Sequence, residues 1–320
     1  MKNNQKLKFQ VYTYINDFKK KSDINCILML KDGRFAVGVD DLYIYNNIFF
    51  NLDFTVSFKE PYIEEIMYLK NENILIRAFR TFYIMNILNN KKIYYFIQTF
   101  KPSSALWINK TNELSNNLIV IIGVHYHIEF FSKNEKNEYY TSKVIKYAHN
   151  RDGYKTLIEI PNNKIISFSG KLHEFKIRDL ITYKCIFQKE ISFSPYHINI
   201  ISLILEKYVL ICCTDGLTII DLNNDYYVYL VMKSMLPAAM IQLNEIEFLI
   251  TNENNIMKIK FNEKTLKFEV IDSYNILLKK NYFLDSLLIK INNNCFITNF
   301  SAHLDNFDDS ILLIFQYLNN

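Results

Sequence analysis

Hydrophobic residues in this chain come in short runs separated by polar turns, and one arrangement returns along its length. In "LKDGRFAVGVDDLYIYN", residues 30–46, an apolar residue opens a polar turn, an apolar run follows, an acidic pair interrupts, and a second run closes on Asn. The arrangement recurs as "NILIRAFRTFYIMN", "NLIVIIGVHYHIEFFS", "IPNNKIISFSGKLHEFKIRDL", "LEKYVLICCTDGLTIIDL" and "LNEIEFLITNENNIMKIKF". A last copy is "INNNCFITNF" followed by "SILLIFQYL". Placing Leu30, Leu69, Ile108, Ile160, Leu205, Leu243 and Ile291 in register gives a repeat of roughly 43 residues, a period found in four-stranded propeller blades.

Each copy reads as four strands. An apolar segment precedes the turn ("INCILML", "IEEIMYL", "AAMIQL"), the two quoted runs follow, and a more polar, alternating segment closes it ("FTVSF", "IYYFIQTF", "LKFEVIDSY"). Short runs rich in Ile, Val, Tyr and Phe, punctuated by Asn, Asp, Lys and Gly, are strand signals, and no stretch holds a capped helical period. Continuous apolar runs predict strands covered on both faces; the alternating segment predicts one that meets water. The final copy lacks a fourth strand, while "LKFQVYTYI" near the N-terminus has no copy of its own, so the two are predicted to pair and close the ring. The predicted fold is an all-β, seven-bladed β-propeller of four-stranded antiparallel blades, residues 1–320 as one domain. Its approximate blades are 20–60, 61–100, 101–148, 149–193, 194–233, 234–275, and 276–320 with 6–18.

At the end of the third strand, "LYIYN", "FYIMN", "IEFFS", "FKIRD", "LTIID", "MKIKF" and "LLIFQ" are similar to the pattern of tryptophan-aspartate (WD) repeat propellers. The family's Trp position falls on Tyr45, Met85, Phe131, Arg178, Ile220, Lys260 and Phe315, and its Asp position is kept at Asp179 and Asp221. Ala148-His149 is the one likeness to the family's Gly-His, and the copy running from "IEIPNNKIISFSG" to "FKIRDLITYKCI" matches best. The resemblance implies a protein-interaction scaffold within a larger intracellular complex, cytoplasmic or nuclear. Two alternatives are the substrate-recognition subunit of a ubiquitin ligase and an enzyme with a site in the central channel. The paired-arginine-Gly motif of phosphoinositide-binding propellers is not matched, since Arg77 and Arg80 in "RAFRTF" are separated and no Gly follows.

Composition changes this picture little. Half of the 320 residues are hydrophobic, enough for a large core, and the formal charge of +4 comes from scattered Lys and Arg. A solvated basic surface explains that charge, so nucleic acid is not an expected partner. Cys26, Cys185 and Cys295 stand alone and adjacent Cys212 and Cys213 point to opposite faces of a strand; all five are expected to be reduced. "INIISLILEKYVLICC", the longest apolar region, is broken by Glu206 and Lys207, so no membrane span and a soluble chain are predicted.

No catalytic set, cofactor motif or metal site is expected. His125 and His127 have a spacing that could serve a metal but lack a third ligand in sequence. Asp40-Asp41 and Asp308-Asp309 read as turn formers. Thr214 to Gly216 reads as a tight turn rather than a phosphate loop, because no helix follows. The predicted functional surface is one rim, formed by loops between blades and between second and third strands. It would gather Asp41, Lys59, Arg80, Lys101, His125, His127, Arg151, His173, His197 and Asp215, with Tyr62, Tyr126 and Tyr196. Asp41, Tyr62, Arg80, His125, Tyr126, Arg151, His173 and Tyr196 are its principal candidates for holding another protein, Arg and Tyr being favoured at protein hot spots. The segment "SAHLDNFDDS" is expected to add a long loop that could reach a partner.

Overall fold

A computed structural model describes residues 8–15, 24–46, 50–60, 62–87, 94–102, 108–123, 127–146, 148, 154–169, 174–191, 201–213, 216–233, 237–252, 255–275, 282–292, 295–304 and 307–318. Every regular element among them is a β-strand. After β1 (Lys8–Ile15), blade 1 comprises β2 (Cys26–Met29), β3 (Phe35–Gly38), β4 (Leu42–Tyr45) and β5 (Leu52–Val56). Blade 2 comprises β6 (Ile63–Tyr68), β7 (Ile74–Ala78), β8 (Thr81–Ile87) and β9 (Tyr94–Phe100). Blade 3 comprises β10 (Ile108–Glu113), β11 (Ile119–Gly123), β12 (His127–Lys133) and β13 (Tyr139–Ile145). Blade 4 comprises β14 (Tyr154–Ile160), β15 (Lys164–Ser169), β16 (Glu174–Asp179) and β17 (Cys185–Glu190). Blade 5 comprises β18 (Ile201–Ile204), β19 (Tyr208–Cys213), β20 (Gly216–Asp221) and β21 (Tyr227–Lys233). Blade 6 comprises β22 (Ala239–Gln242), β23 (Glu247–Asn252), β24 (Asn255–Asn262) and β25 (Lys267–Asn275).

The remaining sheet has the order β1-β28-β27-β26, from β26 (Tyr282–Asn292), β27 (Cys295–Leu304), β28 (Phe307–Leu318) and β1. Where the sequence predicts seven copies, six blades are single unbroken stretches of four strands, and this composite sheet draws on both parts of the chain. All pairings are antiparallel, and the result is a β-propeller. First strands of neighbouring sheets lie side by side, β2 against β6, β10 against β14, β14 against β18, β22 against β26, and β26 against β2.

The apolar runs are continuous because they are covered twice. β3, β4, β7, β11 and β20 are buried along nearly their whole length. Each described core cluster joins two neighbouring blades. One combines Ala36, Leu42, Ile44 and Val56 of blade 1 with Ile63, Ile76 and Met85 of blade 2. The next combines Leu75, Phe82 and Ile84 with Ile119, Ile121, Phe131 and Tyr139 of blade 3. Each fully buried Ile or Phe contributes about 1.5–3 kcal/mol, so the ring is held by its blade interfaces. Outer strands such as β9 and β17 alternate or lie exposed, as the pattern predicts. Every outer strand also carries a one-residue register shift against its neighbour, at Asp53, Ile97, Ser142, Ile186, Val231 and Ile271 in the six continuous blades. Such bulges twist a sheet edge away from further pairing.

The register differs from the sequence expectation at two turns. The first turn of each blade opens at Leu30, Leu69, Leu114, Ile160, Ile204 and Leu243, judged by the pairs Leu30 N–H to Arg34 carbonyl (2.7 Å), Leu69 to Asn73 (2.8 Å), Leu114 to Leu118 (2.8 Å) and Leu243 to Glu247 (2.8 Å), and by the registers Ile160↔Lys164 and Ile204↔Tyr208. Ile108 instead begins β10, whose sequence "INKTNE" looks like a turn. It is a strand because its polar groups bond neighbouring blades: Thr111 N–H donates to Glu65 at 3.3 Å and Asn112 Nδ2 to the Leu157 carbonyl at 2.9 Å. Leu205 lies one residue inside its turn, with left-handed φ of 52°. Residues 301–304 and 307–310, expected within a long loop, are strand instead. β27 and β28 continue their pairing through Ser301↔Ser310, Ala302↔Asp309 and Leu304↔Phe307, so Asp308 and Asp309 are strand residues.

Candidate interaction site on the rim of blades 1 and 2

The β3–β4 turn, the β5–β6 connection and the β7–β8 turn meet on one rim. The Ile63 N–H donates to the Val39 carbonyl at 2.7 Å, tying the first strand of blade 2 to the blade 1 turn. Asp40 stiffens that turn by accepting from the Asp41 N–H (3.1 Å) and the Tyr43 hydroxyl (3.2 Å). Beside it, the Phe79 N–H donates to the Tyr62 carbonyl at 3.1 Å. Tyr62 is 56 % exposed and Phe79 36 % exposed, and both have left-handed backbone, with φ of 68° and 52°. For a bulky residue that conformation is uncommon and costs about 1–3 kcal/mol.

Charged residues lie on these same segments or bond to them. The Arg80 guanidinium lies 4.9 Å from the Phe79 ring centre, within cation–π range. Lys101 Nζ sits 2.7 Å from Glu60 Oε1. That Lys101 hydrogen bond, partly opposed by burial, holds the Glu60 carboxyl below its ordinary value. Lys59 is exposed on the same connection. The rim presents two exposed aromatic side chains, Tyr62 and Phe79, on backbones joined by a hydrogen bond, with the Arg80 guanidinium against the Phe79 ring.

Of the principal sequence candidates, the structure brings together Asp41, Tyr62 and Arg80. His125, Tyr126, Arg151, His173 and Tyr196 lie outside the described residues, as do His197 and Asp215. His127 begins β12, on the adjoining blade. Phe79 and Glu60 were not singled out by sequence, yet "AFRT" carried a signal for the first. A two-residue hairpin turn there would normally hold Gly, Asn or Asp at its left-handed position, and this one holds Phe. Among the described residues no group of three or more His, Cys, Asp or Glu is arranged to hold a metal.

Behind the rim lies a buried ion cluster. Arg77, only 5 % exposed, is ion-paired with Glu64 and lies 3.3 Å from Glu65, which reaches Lys110 of blade 3 at 3.2 Å. A register shift between Ile63 and Glu65 places the two carboxylates on either side of the guanidinium. Burial lowers the pKa of Arg77, and the facing carboxylates supply the charge it needs to remain ionised in a buried place. The cluster is self-neutralising and ties two blades together.

At the opposite ends of the first strands a repeated clasp joins neighbouring blades. The first N–H of a blade's first turn donates to the residue that precedes the turn-opening position in the next blade. Lys31 donates to Tyr68 Oη (2.8 Å), Lys70 to Glu113 Oε2 (2.5 Å) and Ser115 to Glu159 Oε2 (2.5 Å). In blade 4 the donor position is Pro161, which has no N–H, and the matching acceptor position in blade 5 is Leu203. Donor and acceptor are absent together at this junction.

The positions that align with the WD pattern are mostly core. Tyr45, Met85, Phe131 and Ile220, at the Trp position, are all buried. Blade 4, the best sequence match, keeps a polar brace in which Arg178 donates to Ser167 Oγ at 3.2 Å and to the Ala148 carbonyl. Asp179 accepts from the Thr182 N–H (2.6 Å) and hydroxyl (2.8 Å), and Asp221 from the Asn223 N–H (2.9 Å), so both kept Asp residues cap the following turn. No protein-family model matches the chain, and no curated protein matches it. Among the described residues no helix is long and apolar enough to cross a membrane.

Proposed function

We propose that this chain is a non-catalytic, intracellular protein-interaction module, a WD-like propeller subunit of a larger assembly, and that it takes its partner on the rim of blades 1 and 2. One observation carries the reading: Tyr62 and Phe79, joined by a backbone hydrogen bond, are both exposed and both have left-handed backbone, with Arg80 against the Phe79 ring. Folding gains little from an aromatic ring left in water, and left-handed backbone at such residues works against stability. Aromatic and Arg side chains in that position are what a partner surface buries with most gain. The test is affinity purification of the tagged protein from its own cells, comparing wild type with Tyr62→Ala/Arg80→Ala and with Ile186→Ala on the distant β17. A stoichiometric partner lost only in the rim variant supports the reading. A partner retained by the rim variant, or none in wild type, overturns it.

A further inference from the structure

The composite sheet is taller than the six continuous blades. β26, β27 and β28 have 11, 10 and 12 residues, where the first, second and third strands of those blades have 4–7, 4–6 and 4–8. The excess lies towards the β27–β28 turn, on the rim that carries the β3–β4 and β7–β8 turns. There the pairs Tyr282↔Ala302, Leu284↔Phe300, Ala302↔Asp309 and Leu304↔Phe307 keep three strands side by side. β1 covers only part of this height. Its pairs run from Lys8↔Leu318 to Ile15↔Leu312, so among the described residues Phe307–Ile311 of β28 pair on one side alone, with β27. N–H and C=O groups of an antiparallel strand alternate between its two sides, so this stretch directs a row of them outwards. The outer strands of the six continuous blades carry bulges that discourage further pairing, whereas β27 and β28 pair without a register shift along the whole stretch. The connection that leaves β1 is taken up by its crossing to β2: it has ten residues, as many as the β17–β18 connection.

We propose that Phe307–Ile311 is a sheet edge on which a partner protein adds a basic, extended segment as a further strand, antiparallel to β28 and end to end with β1. This site is separate from the aromatic rim of blades 1 and 2. Asp308 and Asp309 stand in the middle of the edge and are its only charged residues, and they select the occupant in two ways. A second copy is disfavoured, because a two-fold antiparallel pair about Asp308, about Asp309 or about the point between them sets Asp against Asp. A segment with Lys or Arg at the facing positions meets opposite charge instead, while the backbone row supplies the hydrogen bonds. Net charge does not draw such a segment in: the chain as a whole is +4, so the attraction has to come from local acids.

Fluorescence anisotropy of the full chain tests this, using a labelled peptide of alternating Lys and Val, about nine residues long so as to span the edge at roughly 3.4 Å per residue, and its Glu–Val counterpart. Wild type should bind the Lys peptide and not the Glu peptide. Asp308→Asn/Asp309→Asn should weaken that binding by about tenfold or more, and Asp308→Lys/Asp309→Lys should exchange the preference. Tyr62→Ala/Arg80→Ala should leave it unchanged, so the edge and the aromatic rim can fail separately. Thermal melts should be alike for wild type and the Asn variant, which separates lost binding from lost folding. Amide exchange at alternate residues of Phe307–Ile311 should be fast in the free protein and slow once the Lys peptide is added. No binding, binding that the Asn variant leaves intact, or binding lost in the rim variant overturns the proposal. Slow exchange at this edge in dilute free protein gives it to the chain's own residues, and slowing with protein concentration alone gives it to a second copy; either result overturns the proposal too.

Discussion

Replacing Arg77 by Met removes a buried cation while keeping most of its hydrocarbon volume. The Arg77 side chain is 6 % exposed, against 12 % for Glu65 and 32 % for Glu64. Stripping one partner from a buried ion pair costs about 3–5 kcal/mol, because the other charge is left without compensation. Here the loss is smaller, since Glu65 keeps Lys110 Nζ at 3.2 Å and the Thr111 N–H at 3.3 Å, and Glu64 can turn towards water. The expected cost is therefore about 2 kcal/mol. Urea unfolding of wild type, Arg77→Met, Glu65→Gln and the double variant measures it, with coupling of about 1–2 kcal/mol expected between the two sites. A loss below about 0.5 kcal/mol, or strictly additive single effects, would show that the guanidinium does not offset the buried carboxylates.

Gly216 has φ of +132°, and an added Cβ would stand 1.9 Å from the Met232 carbonyl oxygen, so Gly216→Ala should cost about 3 kcal/mol or more in chemical unfolding. Gly38→Ala should cost about 2–3 kcal/mol, because its Cβ would meet the Cys26 Sγ at 2.5 Å and the buried, β-branched Ile63 at Cγ2 (2.6 Å) and Cβ (3.0 Å), which cannot move without disturbing the first strand of blade 2. Burial pushes the Cys212 thiol up to about 12 and the Cys26 thiol higher still, while Cys185 is exposed; iodoacetamide on native protein should mark Cys185 and spare the other two, as peptide mapping would show. Glu60 has its folded pKa held down by Lys101, so it binds fewer protons folded than unfolded, and its contribution is present above the ordinary carboxylate range and lost as pH falls through the lowered value. Wild type should thus exceed Glu60→Gln in stability at neutral pH, and the difference should vanish in acid; a gap that widens in acid would contradict this sign.

Much of the fold was legible because propeller blades repeat a simple local code. "RFAVGVDDLYIYN" reads as two buried strands since both faces of β3 and β4 meet neighbouring sheets, and no partner further than the next blade is needed to explain it. Legibility failed where polar side chains found partners on another blade. "INKTNE" reads as a turn until Glu65 and the Leu157 carbonyl are seen beside it, and "SAHLDNFDDS" reads as a loop until β27 is paired with β28. The rim was half legible. Tyr62 and Arg80 stand at predicted loops, but the hydropathy of "RAFRTF" gives no signal for an exposed Phe79, because hydropathy does not reveal a left-handed turn.

Sequence by itself therefore determined most of the strands, their fourfold grouping and the buried inner runs, since alternation, β-branched content and turn residues act over a few neighbours along the chain. Tertiary structure decided the rest. Which turn residue opens each blade, which carboxylates surround Arg77, and where an exposed Phe joins a Tyr depend on contacts between residues of different strands and blades. The turn N–H donors of blades 1 to 3 and the acceptors of the following blades show why: each bond joins residues about one repeat apart, and only the packing of one blade against the next brings them within reach.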